Sequence, residues 1–293
     1  MPKPKFYGGR EFTPEEINEV INTVKMFPDL SLTELADTIC EHLEWFSPTG
    51  TYKREACLNM LDSLEGRKRI QLPDKAVYQR KPDKKMKLTP QTEPRPTLKA
   101  DIKEIGPVRA EPVLDMDTKH LWNEYMERYH FLGHKRPFGV RQRYFFVSDD
   151  AGYLGCMLIA GAAKAMTCRD KWIGWTKDQR IDNIYQVVNN ARFLIFPWVQ
   201  VKNLASQALS LVARRLRQDW LTQWDYDPVL IETFVDPAQY QGTCYKAANW
   251  VYLGMTTGMG NVRKGKTYTT TPKMIFALPL VKNFRARLCK DKE

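Results

Sequence analysis

The sequence predicts an α+β protein in two parts: a small helical module, followed by an α/β domain built on a mixed sheet. Three observations support this prediction. Short capped helical segments come first, a segment rich in Pro and Lys follows, and strand-like apolar runs then alternate with amphipathic helices. With 293 residues, the chain is long enough for two modest domains.

The N-terminal module is predicted over residues 11–78. Thr13 and Ser31 each begin a capping box, and apolar residues recur behind both at helical spacing. A third helix is expected over 52–65, and the basic run 67–72 is expected to form a short strand or wing. This order is the outline of a winged-helix module, whose third helix would enter a DNA major groove. A helical bundle that contacts other proteins is the alternative.

Residues 79–112 are predicted to be an extended linker, because the segment has six prolines and few large apolar residues. The α/β domain is predicted over 113–293. Helices are expected at 121–129, 178–189, 203–220 and 240–249, and strands at 144–148, 153–160, 192–199, 229–235, 250–255 and 274–280.

The formal net charge of +11 favours a polyanionic partner, and we expect double-stranded DNA. Tyr129, Phe131 and Phe138 lie among arginines, a combination that suits phosphate contact and base stacking, and His130 is a candidate polar group of the same surface. A solvated surface is the alternative. The basic residues expected to contact DNA are Lys53, Arg54, Arg67, Lys68, Arg69, Arg136, Arg141 and Arg143.

The N-terminal residues are polar, and the six cysteines are scattered without a C-x-x-C pair. We therefore expect a cytoplasmic protein without a membrane partner. His130 and His134 have a spacing seen in zinc sites, but no cysteine pair accompanies them, so no metal site is predicted.

The segment Gln200–Ala205 lies between a predicted strand and a long helix, where free backbone N–H groups can hold a phosphate. This order of elements resembles the GNAT family of N-acetyltransferases, in which a Q/R-x-x-G-x-G/A loop cradles the pyrophosphate of acetyl-CoA. Asn203 takes the place of a glycine, and Asn tolerates a left-handed backbone. The resemblance implies acyl-CoA as a candidate cofactor, held by Gln200, Lys202, Asn203 and Ala205.

The segment 230–237 contains two carboxylates, Glu232 and Asp236, which would point to the same face of a strand with Phe234 between them. They could serve as general base and orienting group, or share a divalent cation. The structural alternative is a buried Glu232 paired with an arginine and an Asp236 that caps the next helix.

The GNAT resemblance also assigns Tyr245 as a candidate general acid, since such domains often end in a helix with a tyrosine, followed by a strand of the type seen at 249–254. A packed core tyrosine is the alternative. This part of the chain further resembles the Mom-type DNA modification proteins, which are acetyltransferase-like. The similar segments are Glu232–Pro237, Gly242–Tyr245 and Ala248–Gly254.

A more extensive resemblance is to the DruA family of the Druantia anti-phage systems. The motifs that carry it are Tyr129–Gly133, Arg169–Trp175, Val187–Ile195, Asn203–Ser206, Glu232–Asp236 and Ala247–Trp250. The resemblance implies a DNA-binding component of a defence system or mobile element, with defence-system or transposon proteins as partners. It also adds Arg263 and Lys264, in a basic turn after the last motif, to the candidate DNA contacts.

Three functions remain open from the sequence. The acetyltransferase-like domain could act on or recognise DNA without an acyl donor. It could instead modify a DNA base with an acyl-CoA donor, with Glu232 or Asp236 as base and Tyr245 as acid. A metal-dependent nuclease that uses Glu232 and Asp236 is the last alternative.

Overall fold

A computed structural model of the protein describes residues 5–28, 30–47, 50–72, 86–134, 140–258 and 271–291. The chain divides into two compact units, 1–84 and 85–293, so the boundary falls inside the predicted linker. None of the helices in the described ranges is long and apolar enough to cross a membrane.

The N-terminal unit begins with an antiparallel hairpin of β1 (Lys5–Tyr7) and β2 (Arg10–Phe12), which the sequence did not predict. Three helices follow as predicted: α1 (Pro14–Met26), α2 (Leu32–His42) and α3 (Arg54–Gly66). Both capping boxes are present. At the first one, the side chain of Thr13 accepts from the N–H of Glu16 at 3.2 Å.

The basic run 67–72, predicted as a strand or wing, contains no strand. Lys68 adopts a left-handed backbone (φ 56°) just after α3. The chain then turns back, and Ile70 and Leu72 pack into the core formed by the three helices. Because the apolar residues of the run complete the module's own core, these residues do not form a wing, and the winged-helix prediction is not confirmed.

The C-terminal unit alternates strands and helices. Its strands are β3 (Leu98–Ala100), β4 (Val108–Pro112), β5 (Arg141–Ser148), β6 (Gly152–Gly161), β7 (Val187–Ile195), β8 (Val199–Val201), β9 (Leu230–Val235), β10 (Val251–Met255) and β11 (Met274–Pro279). Its helices are α4 (Met116–Tyr129), α5 (Thr167–Ile173), α6 (Lys177–Asn183), α7 (Leu204–Trp224), α8 (Thr243–Ala247) and α9 (Phe284–Leu288).

Among the described residues, seven of these strands form one mixed sheet in the order β10-β11-β9-β7-β6-β5-β4. Its parallel pair is β7 with β9, and the other neighbours are antiparallel. Parallel neighbours need a long crossover, which the 21-residue helix α7 supplies. The mixed α/β class predicted from the sequence is thus confirmed.

The two faces of the sheet carry different helices. On β5, Arg143 lies over the ring of Trp122 of α4, and Tyr144 donates its hydroxyl to Asp219 of α7. Neighbouring strand residues point to opposite faces, so α4 and α7 cover opposite faces. We call these the α4 face and the α7 face.

Two boundaries differ from the sequence prediction. The predicted linker 79–112 contains β3 and β4, and β4 is the edge strand of the large sheet, so its second half belongs to the C-terminal unit. The helix predicted over 178–189 ends at Asn183, and β7 already begins at Val187.

Candidate functional site

The N-terminal basic residues do not form an isolated positive surface. Arg54 makes a two-pronged ion pair with Asp37, at 2.6 Å from Nε and 2.5 Å from Nη2. Lys53 points its ammonium at the carbonyl of Gly8, 3.4 Å away. The unit 1–84 has 13 Lys and Arg against 14 Asp and Glu, whereas 85–293 has 32 against 20. The positive charge of the chain therefore belongs entirely to the C-terminal unit.

Arg67, Lys68 and Arg69 are exposed after the end of α3. A guanidinium nitrogen of Arg69 lies 3.5 Å from the side-chain oxygen of Asn18. The other candidate contacts Arg136, Arg263 and Lys264 lie outside the described residues.

Glu232 is fully buried on β9, where its carboxylate is held by Arg169 of α5. The Nη1 atom of Arg169 lies 2.9 and 3.1 Å from the two carboxylate oxygens, and the N–H of Ala163 donates to one of them at 3.1 Å. Arg169 is itself fully buried and also binds Asp170. Burial raises the pKa of Glu232, and the charge of Arg169 opposes that effect. The carboxylate thus joins α5 to the sheet. This is the alternative in which a buried Glu232 is paired with an arginine.

Asp236 lies one residue beyond the end of β9. Its side chain accepts from the N–H of Ala238 at 3.0 Å, and its carbonyl accepts from the N–H groups of Gln239 and Tyr240. Asp236 therefore stabilises a turn and does not cap α8, whose N-cap is Gly242.

Tyr245 is buried on the α7 face of the sheet. The amide of Asn190 donates to its hydroxyl at 3.0 Å, and its ring packs on Phe276, Trp250 and Phe193. Burial raises the pKa of this phenol.

The register shows that Glu232 and Tyr245 lie on opposite sides of the sheet. Glu232 is paired with Asn189, and Thr233 with Asn190, the partner of Tyr245. Because consecutive strand residues alternate between the faces, Glu232 points to the α4 face. The pair proposed as base and acid thus does not flank one common space.

The loop before α7 has the backbone that the sequence predicts. Asn203 has φ 63° and lies in the left-handed region, which Asn tolerates better than most residues. Gln200, Lys202 and Asn203 are exposed, Ala205 is half-buried, and the first turn of α7 contains no acidic residue.

The pairing of the two parallel strands β7 and β9 is short. It runs from Val187 with Leu230 to Asn190 with Thr233, although β7 continues to Ile195. The pairing therefore ends at the residues that surround the Tyr245 hydroxyl.

The α4 face carries a group of arginines, of which Arg143 is buried against Trp122. Arg143 of β5 and Arg192 of β7 are both paired with Leu158 of β6, so they flank it in one row, with Cα atoms about 10 Å apart. Arg141 lies on the same face two rows further along, in the row that continues through Ala160 to Asn189. Of these arginines, the sequence predicts Arg141 and Arg143 as DNA contacts but not Arg192.

A bulge decides where Arg192 points. Leu158 is paired with Arg192 and the next residue, Ile159, with Asn190, so Ala191 has no partner on β6. The extra residue brings the side chain of Arg192 to the α4 face and that of Phe193 to the α7 face, where it contacts Phe146. The sequence signal that could have identified Arg192 is its position as a single charged residue at the start of a strongly apolar predicted strand.

His130 follows the last residue of α4, Tyr129, which packs on Phe196 and Trp198 just beyond β7, the strand of Arg192. The N–H of His130 donates to Met126, and its carbonyl accepts from the N–H of Gly133 at 2.7 Å. Gly133 has φ 59°, which favours glycine. Burial, together with the charge of Arg192, lowers the pKa of His130 to about 4. The imidazole is therefore neutral at pH 7.

The tautomer of His130 follows from its neighbours. Its Nδ1 accepts a hydrogen bond from the N–H of Leu132 at 3.2 Å. A neutral imidazole that accepts at Nδ1 carries its proton on Nε2, which is then a donor.

Within the part of the chain that the structure describes, no group of three or more His, Cys, Asp or Glu residues could hold a metal ion. Both carboxylate oxygens of Glu232 already accept hydrogen bonds, from Arg169 and from the N–H of Ala163. The geometry therefore gives the nuclease hypothesis no support.

A protein-family model described as "Druantia protein DruA" matches residues 63–271, more than two thirds of the chain. The chain belongs to the DruA family. The matched region contains Arg192, His130 and the Arg169–Glu232 ion pair. These residues lie within motifs on which the resemblance to DruA was based.

Two solved structures with similarity to this DruA protein are acetyltransferases of Vibrio cholerae. One is a spermidine N-acetyltransferase in complex with CoA and spermine, with 9% identity over 62% of this chain and 98% of that chain, at a TM-score of 0.37. The other is the spermidine/spermine N-acetyltransferase SpeG in complex with manganese ions, with 11% identity over 61% and 96%, also at 0.37. At such TM-scores two chains need not share a fold. No match to a curated protein was found.

Proposed function

We propose that this DruA-family chain is the DNA-binding component of an anti-phage defence system, and that its C-terminal unit makes the DNA contacts. The observation that carries the proposal is the separation of charge: 32 basic against 20 acidic residues in 85–293, and no excess of positive charge in 1–84. Lys and Arg that neutralise phosphates release counterions, which is the main source of affinity for DNA. Arg141 and Arg192 on the α4 face are partly exposed and offer such contacts, whereas Arg143 is buried against Trp122 and does not.

The experiment is fluorescence anisotropy with the full-length chain and a labelled 20-base-pair duplex across a salt series. We expect the logarithm of the binding constant to fall linearly with the logarithm of the salt concentration. Arg141→Gln should reduce that slope by about one unit. Arg54→Gln, whose guanidinium is already paired with Asp37, is the matched control and should leave it unchanged. Absence of binding at low salt would overturn the proposal.

A second candidate is an acyl-CoA-dependent DNA-modifying transferase. It is favoured by the left-handed Asn203 at the exposed start of α7 and by the early end of β7–β9 pairing beside Tyr245. The residues fit such a cofactor: Gln200, Lys202, Asn203 and Ala205 would hold its pyrophosphate, because the helix start offers N–H groups and no competing carboxylate. When bound, acyl-CoA would supply the activated acyl group. The Tyr245 hydroxyl would hold a proton at the point where the β7–β9 pairing ends.

This candidate is tested in two steps. Equilibrium binding of CoA to the full-length chain should weaken in Lys202→Gln. Nucleosides digested from DNA after incubation with acetyl-CoA should show a mass gain that depends on Tyr245. Unchanged DNA together with no CoA binding would remove the transferase and leave the DNA-binding proposal intact.

A further inference from the structure

The guanidinium of Arg192 has no acidic partner among the described residues. Its Nη1 donates to the carbonyl of Ala191 at 2.6 Å, whereas its Nε is buried and has no hydrogen-bond partner. Among the described residues, Nη2 makes no hydrogen bond either. Nε and Nη2 form the side edge of an arginine, the fork that matches the two oxygens of a phosphate or carboxylate.

Other arginines of the unit show what a buried guanidinium normally requires. Arg169 has Glu232 and Asp170, and the less buried Arg217 has Asp227. Burial lowers the pKa of Arg192, and no carboxylate in the described part of the chain compensates for this effect. A half-buried cation without an anion is unfavourable, so its fork is suited to an anion that arrives from outside the chain.

A third donor belongs to His130, which follows Tyr129, and Tyr129 packs on Phe196 and Trp198 just after the strand of Arg192. The hydrogen bond from Leu132 to Nδ1 leaves the imidazole proton on Nε2, and the charge of Arg192 helps to lower the pKa of His130. Two guanidinium N–H groups and one imidazole N–H can all donate to a single tetrahedral oxyanion.

An aromatic platform adjoins these donors. The ring of Phe131 stacks on His130, with centroids 4.9 Å apart and planes at 21°, yet Phe131 is 55% exposed. An exposed ring next to an anion site can stack an unpaired base, while the donors hold the neighbouring phosphate. A free carboxylate ligand would use the fork but not the ring.

We propose that Arg192 and His130 form the receptor for one phosphate of a bound nucleotide unit, and that Phe131 is the platform for its unstacked base. This proposal rests on the proposed DNA-binding function and names the atoms that contact DNA. It requires a base outside a duplex stack, so a single strand or a flipped base is the preferred form.

The test compares Arg192→Met with Arg214→Met in the full-length chain. Arg214 is an exposed arginine of α7, so its replacement removes the same charge from the opposite face. For a labelled single-stranded 20-mer of thymidine, we expect Arg192→Met to weaken binding by about tenfold or more, because fork hydrogen bonds are lost as well as charge. Arg214→Met should weaken it only slightly, and equal effects of the two variants would overturn the proposal.

A second measurement separates this site from the general DNA-binding proposal. Thymidine monophosphate should raise the melting temperature of the wild-type chain and of Arg214→Met, but not that of Arg192→Met, and thymidine should raise none of them. This result supports the site even if no duplex binds. Without ligand, Arg192→Met should melt no lower than the wild type. A lower melting temperature without ligand, or stabilisation that persists in Arg192→Met, contradicts the proposal.

The role of Phe131 is tested by comparing stabilisation by two ligands. Inorganic phosphate should stabilise the wild type less than thymidine monophosphate does, and Phe131→Ala should abolish this difference. Equal stabilisation of the wild type by both probes would overturn the assignment of Phe131 as a base platform.

Discussion

Arg169 and Glu232, 63 residues apart in sequence, form a fully buried ion pair that joins α5 to β9. Removal of one partner from such a pair leaves an uncompensated charge in the interior. We expect Glu232→Gln to lower the free energy of unfolding of the C-terminal unit by about 3 kcal/mol. Denaturant unfolding followed by tryptophan fluorescence is suitable, since all tryptophans except Trp45 lie in that unit.

The control for this prediction is the double variant Arg169→Met with Glu232→Gln. It should be destabilised by clearly less than the sum of the single variants, because neither partner of the pair is left charged without the other, and Asp170 keeps its ion pair with Arg180. Additive effects would show that Glu232 acts independently of Arg169. The exposed Glu93→Gln should change stability by less than about 0.5 kcal/mol.

Removal of the Tyr245 hydroxyl should affect stability and leave DNA binding unchanged. In Tyr245→Phe, the buried amide of Asn190 loses its acceptor, which costs about 1–2 kcal/mol. Tyr245 lies on the α7 face, away from the arginines of the α4 face, so the affinity for DNA should not change. A tenfold loss of affinity in anisotropy would place Tyr245 within the DNA site.

His130 should make the chain less stable in mild acid. Its pKa is about 4 in the folded chain and near 6.5 when unfolded. The unfolded state therefore binds more protons between these values, and stability falls as the pH drops through this window. His130→Gln should show a smaller loss of unfolding free energy between pH 7 and pH 5 than the wild type. The exposed His120→Gln is the control, and equal losses in both variants would contradict the prediction.

Asn203 should tolerate glycine better than alanine. At φ 63°, a residue with a Cβ atom other than Asn or Asp costs about 1–2 kcal/mol. We expect Asn203→Gly to unfold at nearly the same denaturant concentration as the wild type, and Asn203→Ala to unfold earlier. If alanine were as well tolerated as glycine, the left-handed conformation of this loop would be wrong.

The elements that the sequence predicts well depend on local chemistry. The capping boxes at Thr13 and Ser31 involve residues three positions apart, and both are present in the structure. The left-handed Asn203 is likewise a property of a single residue. The excess of positive charge in 85–293 could also be counted from the sequence once the boundary was known.

What the sequence did not predict depends on contacts between distant residues. The prolines of 79–112 predict a linker, but β4 forms there, because Pro112 lies at the end of an edge strand, where a missing N–H is tolerated. Arg192 gains its role only through the bulge at Ala191 and the turn at His130, and neither has a signal in the strand itself. Likewise, nothing local indicates that Arg169 is the partner of Glu232.

The unpaired residue Ala191 has a consequence for comparisons among relatives of this protein. A homologue without the extra residue must be aligned with a gap of one position there. Without that gap, the homologue's counterpart of Phe193 would be aligned with Arg192, and its counterpart of Arg192 would be aligned with Ala191. Conservation at the phosphate receptor would then be underestimated, although both proteins could keep the same surface.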